Sequence, residues 1–342
     1  MANYSPRVVL VTGGAGFIGS NFVRRILERF PEVRVVTLDK LTYAGSADNL
    51  SDLPNPDRHL FVAGDINDRQ LVGTILRENE VDSIVHFAAE SHVDRSISGP
   101  APFISSNIVG TYELLQAART YWLEERGWSA ESCRFHHIST DEVFGSLGPH
   151  DPPFREDSAY APNSPYSSSK AASDHLVRAW NQTYGLPVTT SNCSNNYGPF
   201  QHDEKLIPTI IRACIEQQPI PIYGDGSNIR DWLYVMDHCD GIIECLSRGI
   251  VGAVYNFGSG AEYSNLEIAH RICVILDELK PLDYKYESLI RFVDDRPGHD
   301  WRYAMDISKA SRELDWHPKE QLAEGLLKTV QWYLPRMSPT GN

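Results

Sequence analysis

Val8-Val-Leu-Val-Thr-Gly-Gly-Ala-Gly-Phe-Ile-Gly19 is an apolar, β-branched run that breaks into glycines at 13, 14, 16 and 19. The run reads as a buried strand, and residues 20–30 behind it carry helical periodicity. Strand, glycine turn and helix in that order make a phosphate cradle. Gly13, Gly16 and Gly19 let the backbone turn sharply and approach a pyrophosphate, whose charge rests on free N–H groups at the helix N-terminus. Asp39 ends the second expected strand, twenty residues past Gly19. A carboxylate there can accept both hydroxyls of an adenine ribose and would repel a 2′-phosphate, which favours NAD over NADP. Lys40 beside it weakens that preference. Asp65-Ile66, after the third strand, can hold the adenine edge or simply close a turn.

Outward from this turn the alternation continues. Residues 33–38, 60–63, 83–88, 135–139 and 188–192 read as strands, and 68–78, 108–121 and 167–184 read as helices between them. Strands that alternate with helices need right-handed crossovers and hence a parallel sheet covered on both faces. The expected fold is therefore α/β, a doubly wound parallel sheet of Rossmann type with a smaller C-terminal domain. Past Cys193 the chain becomes rich in turns, around Asn195, Asn196, Gly198 and Pro199, then Gly224 and Gly226, then Gly258 and Gly260. The expected cofactor domain is 1–193, with 232–262 returning to it because 253–257 reads as one more strand. Residues 194–231 and 263–336 form the second domain, and the tail after Met337 looks frayed.

In 342 residues, 31 Lys and Arg face 45 Asp and Glu, a net charge of −14, so nucleic acid and anionic membranes are repelled on average. A polyanionic ligand must meet a local cluster of Arg and Lys. With 42% hydrophobic and 22% charged residues, disordered and fibrous classes are excluded. Cys133, Cys193, Cys214, Cys239, Cys245 and Cys273 are scattered without a C-x-x-C pair, which suggests neither a disulfide framework nor zinc and points to a reduced cytoplasm. The histidines show no H-E-x-x-H spacing, and no metal is expected. No apolar stretch approaches the ~20 residues of a membrane span, and neither a secretion signal nor an anchor is expected.

Tyr166 and Lys170, in Tyr-Ser-Ser-Ser-Lys, are four apart at the start of a helical segment, which stacks them on one face. An ammonium near a phenol favours the phenolate, so such a pair can take a proton from an alcohol as its hydride leaves for nicotinamide. Alone the spacing is an ordinary surface pair; behind a dinucleotide fingerprint it points to chemistry. Ser139-Thr140-Asp141-Glu142 follows the fifth strand, at the carboxyl edge where doubly wound sheets bind ligands. Of two crowded acids one tends to keep its proton while the other ionises, although Ser, Thr and Asp also cap helices. His92, Asp94 and Arg95 suggest no serine triad, since no G-x-S-x-G elbow exists and a turn explains them. His136-His137 lies inside a strand and packs there.

Thr-Gly-Gly-Ala-Gly-Phe-Ile-Gly (12–19), Asp-Lys-Leu-Thr-Tyr-Ala-Gly (39–45), His-Phe-Ala-Ala-Glu-Ser-His-Val-Asp-Arg-Ser (86–96), Ser-Thr-Asp-Glu-Val-Phe-Gly (139–145) and Tyr-Ser-Ser-Ser-Lys (166–170) occur in order. Cys-Ser-Asn-Asn-Tyr-Gly-Pro (193–199), Glu-Lys-Leu-Ile-Pro (204–208), Asp-Gly-Ser-Asn-Ile-Arg-Asp-Trp (225–232) and Asp-Arg-Pro-Gly-His-Asp (295–300) extend them. Along nearly its whole length the chain resembles the extended short-chain dehydrogenase/reductase family, and within it the nucleotide-sugar 4,6-dehydratases. The glycine turn and Tyr-x-x-x-Lys belong to the whole family, whereas Thr-Asp-Glu belongs to its 4,6-dehydratases. Phe144 and Phe200 stand where the family often has Tyr, which leaves the role of Tyr166 intact.

The resemblance implies NAD as cofactor, dTDP-glucose as substrate and a homodimer built through the helices near 108–121 and 167–184. It implies that Tyr166 deprotonates the C4 hydroxyl, Glu142 removes the C5 proton, Asp141 protonates the departing C6 hydroxyl, Thr140 bonds near O4 and Lys170 holds the nicotinamide ribose. Phe17, Ile18, Asp39, Lys40, Leu41 and Thr42 match the family's NAD contacts, as do Asp65, Ile66, Phe87, Ala88, Ala89, Ser106 and Asn196. Ser91, Thr140, Asn195, Lys205, Leu206 and Pro221 match its nucleotide-sugar contacts, with Ile222, Tyr223, Arg230, Asn265, Arg296 and His299. Arg230 and Arg296 suit a diphosphate, because a guanidinium binds phosphate oxygens through two N–H groups. The competing implications are a UDP-glucose 4,6-dehydratase, a C4-epimerase in which Asp141 and Glu142 have no task, and an NAD-binding scaffold without turnover.

Overall fold

Seven strands, all parallel, carry the larger half of the computed structural model, which describes residues 4–337. The tail expected to fray after Met337 lies outside the described residues. The strands are β1 (Val8–Thr12), β2 (Arg34–Asp39), β3 (His59–Ala63), β4 (Ser83–His86), β5 (Arg134–Thr140), β6 (Val188–Cys193) and β10 (Val254–Phe257). Their order is β3-β2-β1-β4-β5-β6-β10. β1, β4, β5 and β6 are buried along their whole length, as strands covered on both faces must be, whereas β3 at the edge is partly open. The period of two sends Val8 and Leu10 into one core with Leu38, Leu114 and Trp122, and Val9 and Val11 into the other with Phe22, Ile26 and Ile242.

The covering helices are α1 (Phe17–Arg29), α2 (Arg69–Glu78), α3 (Val93–Ser98), α4 (Ala101–Phe103), α5 (Thr111–Arg119) and α6 (Pro165–Tyr184). The helix expected over 108–121 is shorter in α form, because π-helical turns at Ile104–Gly110 and Thr120–Glu125 flank α5. A π turn adds about one residue per turn and slips the apolar phase by that residue, a shift too small over so short a segment to separate π from α by periodicity. The first one buries Ser106 and Asn107. α6 begins at Ser164, which shares a reciprocal capping box with Ser167, carries Pro165 in its first turn and ends at left-handed Gly185. That start fixes the helical phase of Tyr166 and Lys170.

A second core forms where β7 (Asn195–Tyr197), β9 (Ile229–Tyr234) and β11 (Glu262–Ser264) make a three-stranded sheet and β8 (Ile220–Tyr223) pairs with β12 (Ile290–Val293). Ile207, Ile211, Ile272, Leu326 and Val330 fill it, from α7 (Leu206–Ile215), α9 (Asn265–Leu279) and α11 (Leu322–Met337). Between these pieces α8 (Val235–Arg248) packs on α1, and β10 joins the large sheet beside β6. Residues 232–234 lie in β9 of the small sheet, so the chain re-enters the large unit at α8. α10 (Ser308–Leu314) covers β10. β1 has β2 on one side and β4 on the other, a reversal of winding that opens a crevice at the strands' carboxyl ends.

Candidate active site

At the crevice Gly13 adopts φ +71°, and a Cβ there would lie 2.6 Å from the amide nitrogen of Ala88. Only glycine satisfies both constraints. Gly16, the residue preceding α1, offers no side-chain cap, and the helix's first turn holds no acid, so its positive end is left for an anion. Asp39 closes the other end. Its Oδ2 accepts from the amide of Ala15 at 3.0 Å and its Oδ1 from that of Leu41 at 2.8 Å. Burial pushes this carboxyl up, and the two amides pull it back. Each oxygen retains a lone pair for a hydroxyl donor. Lys40 Nζ donates to Ser106 Oγ at 2.8 Å and lies 3.6 Å from Asp65, so it is turned across the crevice. A free helix end, a glycine cradle and a carboxylate at strand-end distance fit a dinucleotide.

One cavity runs from Gly13, Gly16, Phe17, Ile18 and Gly19 past Asp39, Lys40, Thr42, Asp65 and Ile66 to Phe87, Ala88, Ala89, Ser106 and Asn196. Of the residues expected around a cofactor, Leu41 alone is absent from the lining. Its φ of +52° turns the side chain outward, 39% exposed, and it serves through its amide on Asp39.

The same cavity reaches the end of β5. Thr140 donates to Asp141 Oδ1 at 3.2 Å and accepts from the amide of Glu142 at 3.3 Å, closing a 3-10 turn over Asp141–Phe144. Asp141 is buried, and its Oδ2 has no hydrogen-bond partner among the described residues. Burial, then Glu142 and Asp231, push its carboxyl well up, which favours the protonated form. Burial also raises Glu142, but Arg296, Lys205 and Arg230 oppose the shift. The two neighbours are thus held in unlike environments.

Tyr166 and Lys170 line the cavity beside them. The expected lowering of the phenol by Lys170 does not appear. Burial first, then the charge of Glu142, push Tyr166 well up, with a bond to Thr140 in opposition. Lys170 Nζ donates to the carbonyl of Ile138 at 2.7 Å, and burial lowers its own pKa.

On the far side Lys205 Nζ donates to the Ser91 carbonyl at 3.0 Å. Arg230 is buried, donates to the carbonyls of Ile229, Trp301 and Asp300, and lies 4.4 Å over the Tyr303 ring. Arg296 donates to Asp94 at 3.2 Å, and its buried Nε has no partner among the described residues. These cations form the local positive cluster in a chain of net charge −14. His299 bonds Asp295 at 2.6 Å, and Tyr223 reaches Asp94 at 3.4 Å.

Of the expected sugar-side residues, Ser91, Thr140, Asn195 and Lys205 line the cavity; Leu206, Pro221, Ile222, Tyr223, Arg230, Asn265, Arg296 and His299 do not. Ile222 is 1% exposed and packs in the second core, because alternation along β8 turns Pro221 and Tyr223 outward and Ile222 in. It can meet a ligand only through its backbone. Leu206 also packs against that core, and Asn265 donates its amide to Asn228 as α9 begins. His92 caps α3 and, with Arg95, pairs with Glu204. The cavity lining also includes Glu90, Ser194, Gln201, His202 and Glu204, which sequence reading did not single out; only the place of Glu204 before Lys205 hinted at it.

Residues 10–329 match the family model described as GDP-mannose 4,6 dehydratase. A dTDP-glucose 4,6-dehydratase of Xanthomonas campestris is 53% identical over 95% of this chain and 92% of that protein. One from Neisseria gonorrhoeae is 52% identical over 98% and 97%. In structure the chain is similar to DesIV, a dTDP-glucose 4,6-dehydratase of Streptomyces venezuelae with NAD and TYD bound: 46% identity, TM-score 0.86, 95% and 96% of the two chains. A UDP-glucose 4-epimerase of Thermotoga maritima superposes nearly as well, at TM-score 0.84 over 97% and 100%, with 27% identity. The backbone therefore does not separate dehydratase from epimerase, whereas sequence identity does. The chain belongs to the GDP-mannose 4,6 dehydratase family, within the extended short-chain dehydrogenase/reductases.

Proposed function

We propose that this chain is an NAD-dependent dTDP-glucose 4,6-dehydratase, a hydro-lyase that converts dTDP-glucose to dTDP-4-keto-6-deoxy-glucose and water. One observation carries the reading beyond the family: at the end of β5 a buried Asp141, whose Oδ2 has no partner among the described residues, adjoins a Glu142 opposed by the charges of Arg296, Lys205 and Arg230, beside Tyr166. NAD, when bound, supplies reversible hydride uptake, from C4 and back to C6. Gly13, Gly16, Gly19 and the start of α1 would hold its diphosphate, Asp39 its adenine ribose, and Lys170 its nicotinamide ribose.

Tyr166 takes the proton of the C4 hydroxyl in its phenolate form, which the positive charge of bound NAD, when present, and the Lys170 ammonium would favour. The resulting 4-keto group acidifies C5–H, and Glu142, whose anionic form Arg296, Lys205 and Arg230 favour, removes that proton. Asp141 gives its proton to the departing C6 hydroxyl, which leaves as water. Glu142 then returns its proton to C5. Tyr166 has then gained one proton and Asp141 has lost one, and passage of that proton from the phenol to the Asp141 carboxylate, through solvent, restores the chain for the next turn.

The support for dTDP-glucose is the 51–53% identity to enzymes bearing that name over at least 95% of this chain. Epimerisation, which the fold alone also allows, leaves Asp141 and Glu142 idle. Incubation with dTDP-glucose should give a product one water lighter, with the absorbance of a 4-keto sugar in alkali; an unchanged substrate mass contradicts the proposal.

Residues 1–193 with 235–261 are assigned to NAD and 194–234 with 262–336 to the nucleotide sugar, the expected bounds at 232 and 262 moving because β9 and β11 belong to the small sheet, on the support of the second core, which includes Trp232. A homodimer through α5 and α6 is supported by exposed Ile104, Val109 and Tyr184 on these helices and the π turn leading into α5. Six unpaired, buried cysteines among the described residues support a reduced, cytoplasmic setting, and no described helix is long and apolar enough to cross a membrane.

A further inference from the structure

Behind the catalytic face of α6 lies a buried polar cluster that the mechanism above does not use. Asp174 sits one helical turn beyond Lys170 and is buried. Its Oδ1 bonds Nε2 of His137 at 3.0 Å, and its Oδ2 accepts from Ser139 Oγ at 2.7 Å and from the Tyr160 hydroxyl at 2.9 Å. Three donors converging on one carboxylate are the surroundings of an anion. His137 must then carry its proton on Nε2, in keeping with an Nδ1 that has no partner among the described residues. The donors come from two places that chemistry must hold together. His137 and Ser139 are on β5, the latter immediately before Thr140, Asp141 and Glu142; Tyr160 packs edge-on against Phe144, at the end of the turn those acids begin.

The ammonium of Lys170 is equally enclosed. It donates to the carbonyl of Ile138, between the two β5 residues that grip Asp174. The titratable groups it faces are Asp174 on its own helix, Cys193 on β6, His137 on β5 and His86 on β4. Burial keeps both histidines neutral and pushes the Cys193 thiol up. Asp174, one turn along the same helix and gripped from the strand whose Ile138 carbonyl takes the Lys170 ammonium, is the one carboxyl group of the set, and it acts on that buried ammonium through space.

We propose that Asp174 is a positioning residue for the reaction, locking the end of β5 that bears the acid pair onto α6 and supplying the buried negative charge that keeps Lys170 an ammonium. This rests on the dehydratase reading above. Wild-type turnover of dTDP-glucose tests that reading by itself, and the variants are compared only with that rate.

Asp174→Asn keeps the shape and removes the charge. Its kcat should fall about 10- to 100-fold with KM within threefold, and the alkaline limb of the kcat–pH profile should move down by about one pH unit as Lys170 loses its proton sooner. Ser139→Ala keeps the charge and removes one of the two bonds from β5 to Asp174, leaving that of His137: kcat should fall about 3- to 10-fold with the limb unmoved. An Asp174→Asn variant within twofold of wild type, or one that is slow with an unshifted limb, overturns the proposal. If that variant is recovered unfolded by circular dichroism, Ser139→Ala decides, and an unchanged kcat there overturns the tie.

Discussion

The cofactor half and the nucleotide-sugar half of the molecule present their ligands in different ways. Around the glycine turn, side chains sit at strand ends in consecutive βα units, and all those expected at a cofactor line the cavity except Leu41. On the sugar side the groups are brought together from far along the chain: Arg296 meets Asp94, Lys205 meets Ser91, and Arg230 meets the carbonyl of Asp300. Local geometry makes the first site, and packing of two cores makes the second. A substitution on the cofactor side should therefore act through backbone shape, and one on the sugar side through charge.

The largest effects belong where the halves meet. Tyr166→Phe removes the base for the first oxidation and should lower product formation by about 10³-fold or more, with no reduced cofactor visible in its absorbance. A loss below tenfold would remove Tyr166 from that role. Glu142→Gln should lower water loss by about 10²- to 10⁴-fold while reduced cofactor remains detectable by absorbance, since the ketone forms before C5 is deprotonated. Equal water loss in variant and wild type contradicts the assignment.

Smaller effects separate the halves. Arg296→Ala should raise KM for dTDP-glucose about 10- to 100-fold, the worth of a charged hydrogen bond of about 1.5–3 kcal/mol. NAD content after purification should stay unchanged. Gly13→Ala should do the reverse, costing more than about 1 kcal/mol of stability and stripping NAD, because a Cβ at φ +71° meets the Ala88 backbone. Calorimetry and the cofactor content of the purified protein check it; retention of full NAD would mean the turn can relax.

The smallest effect is on stability against pH. Asp141 has a folded pKa raised above its unfolded value of about 3.9, so the folded state binds the extra proton, and stability falls as pH climbs from about 4 to the folded pKa. Asp141→Asn removes that fall. Its Tm should match wild type near pH 4 and exceed it by a few degrees near pH 8. A Tm difference that does not change with pH contradicts a protonated Asp141.

How much of this was legible in the sequence follows the same divide. β1, its glycines and Asp39 read correctly because apolar alternation, a turn and a strand end are local properties. The helix over 108–121 is present, but its π turns at either end of α5 left no trace in the apolar spacing. The lowering of Tyr166 by Lys170 was expected from four-residue spacing behind the glycine turn, yet spacing carries no record of burial or of Glu142 near the phenol. Ile222 was named with its neighbours although strand alternation, visible in the sequence, places it in the core. Asp174 carried no signal, because its partners His137, Ser139 and Tyr160 meet only in the folded chain.

The central claim is that a hydride leaves C4 and returns to C6 of the same sugar within one turnover. Turnover of dTDP-glucose bearing deuterium at C4, read by mass spectrometry of the product, tests it most directly. The account predicts the label on the new C6 methyl group. A methyl without deuterium, with the label in solvent or still at C4, would contradict it.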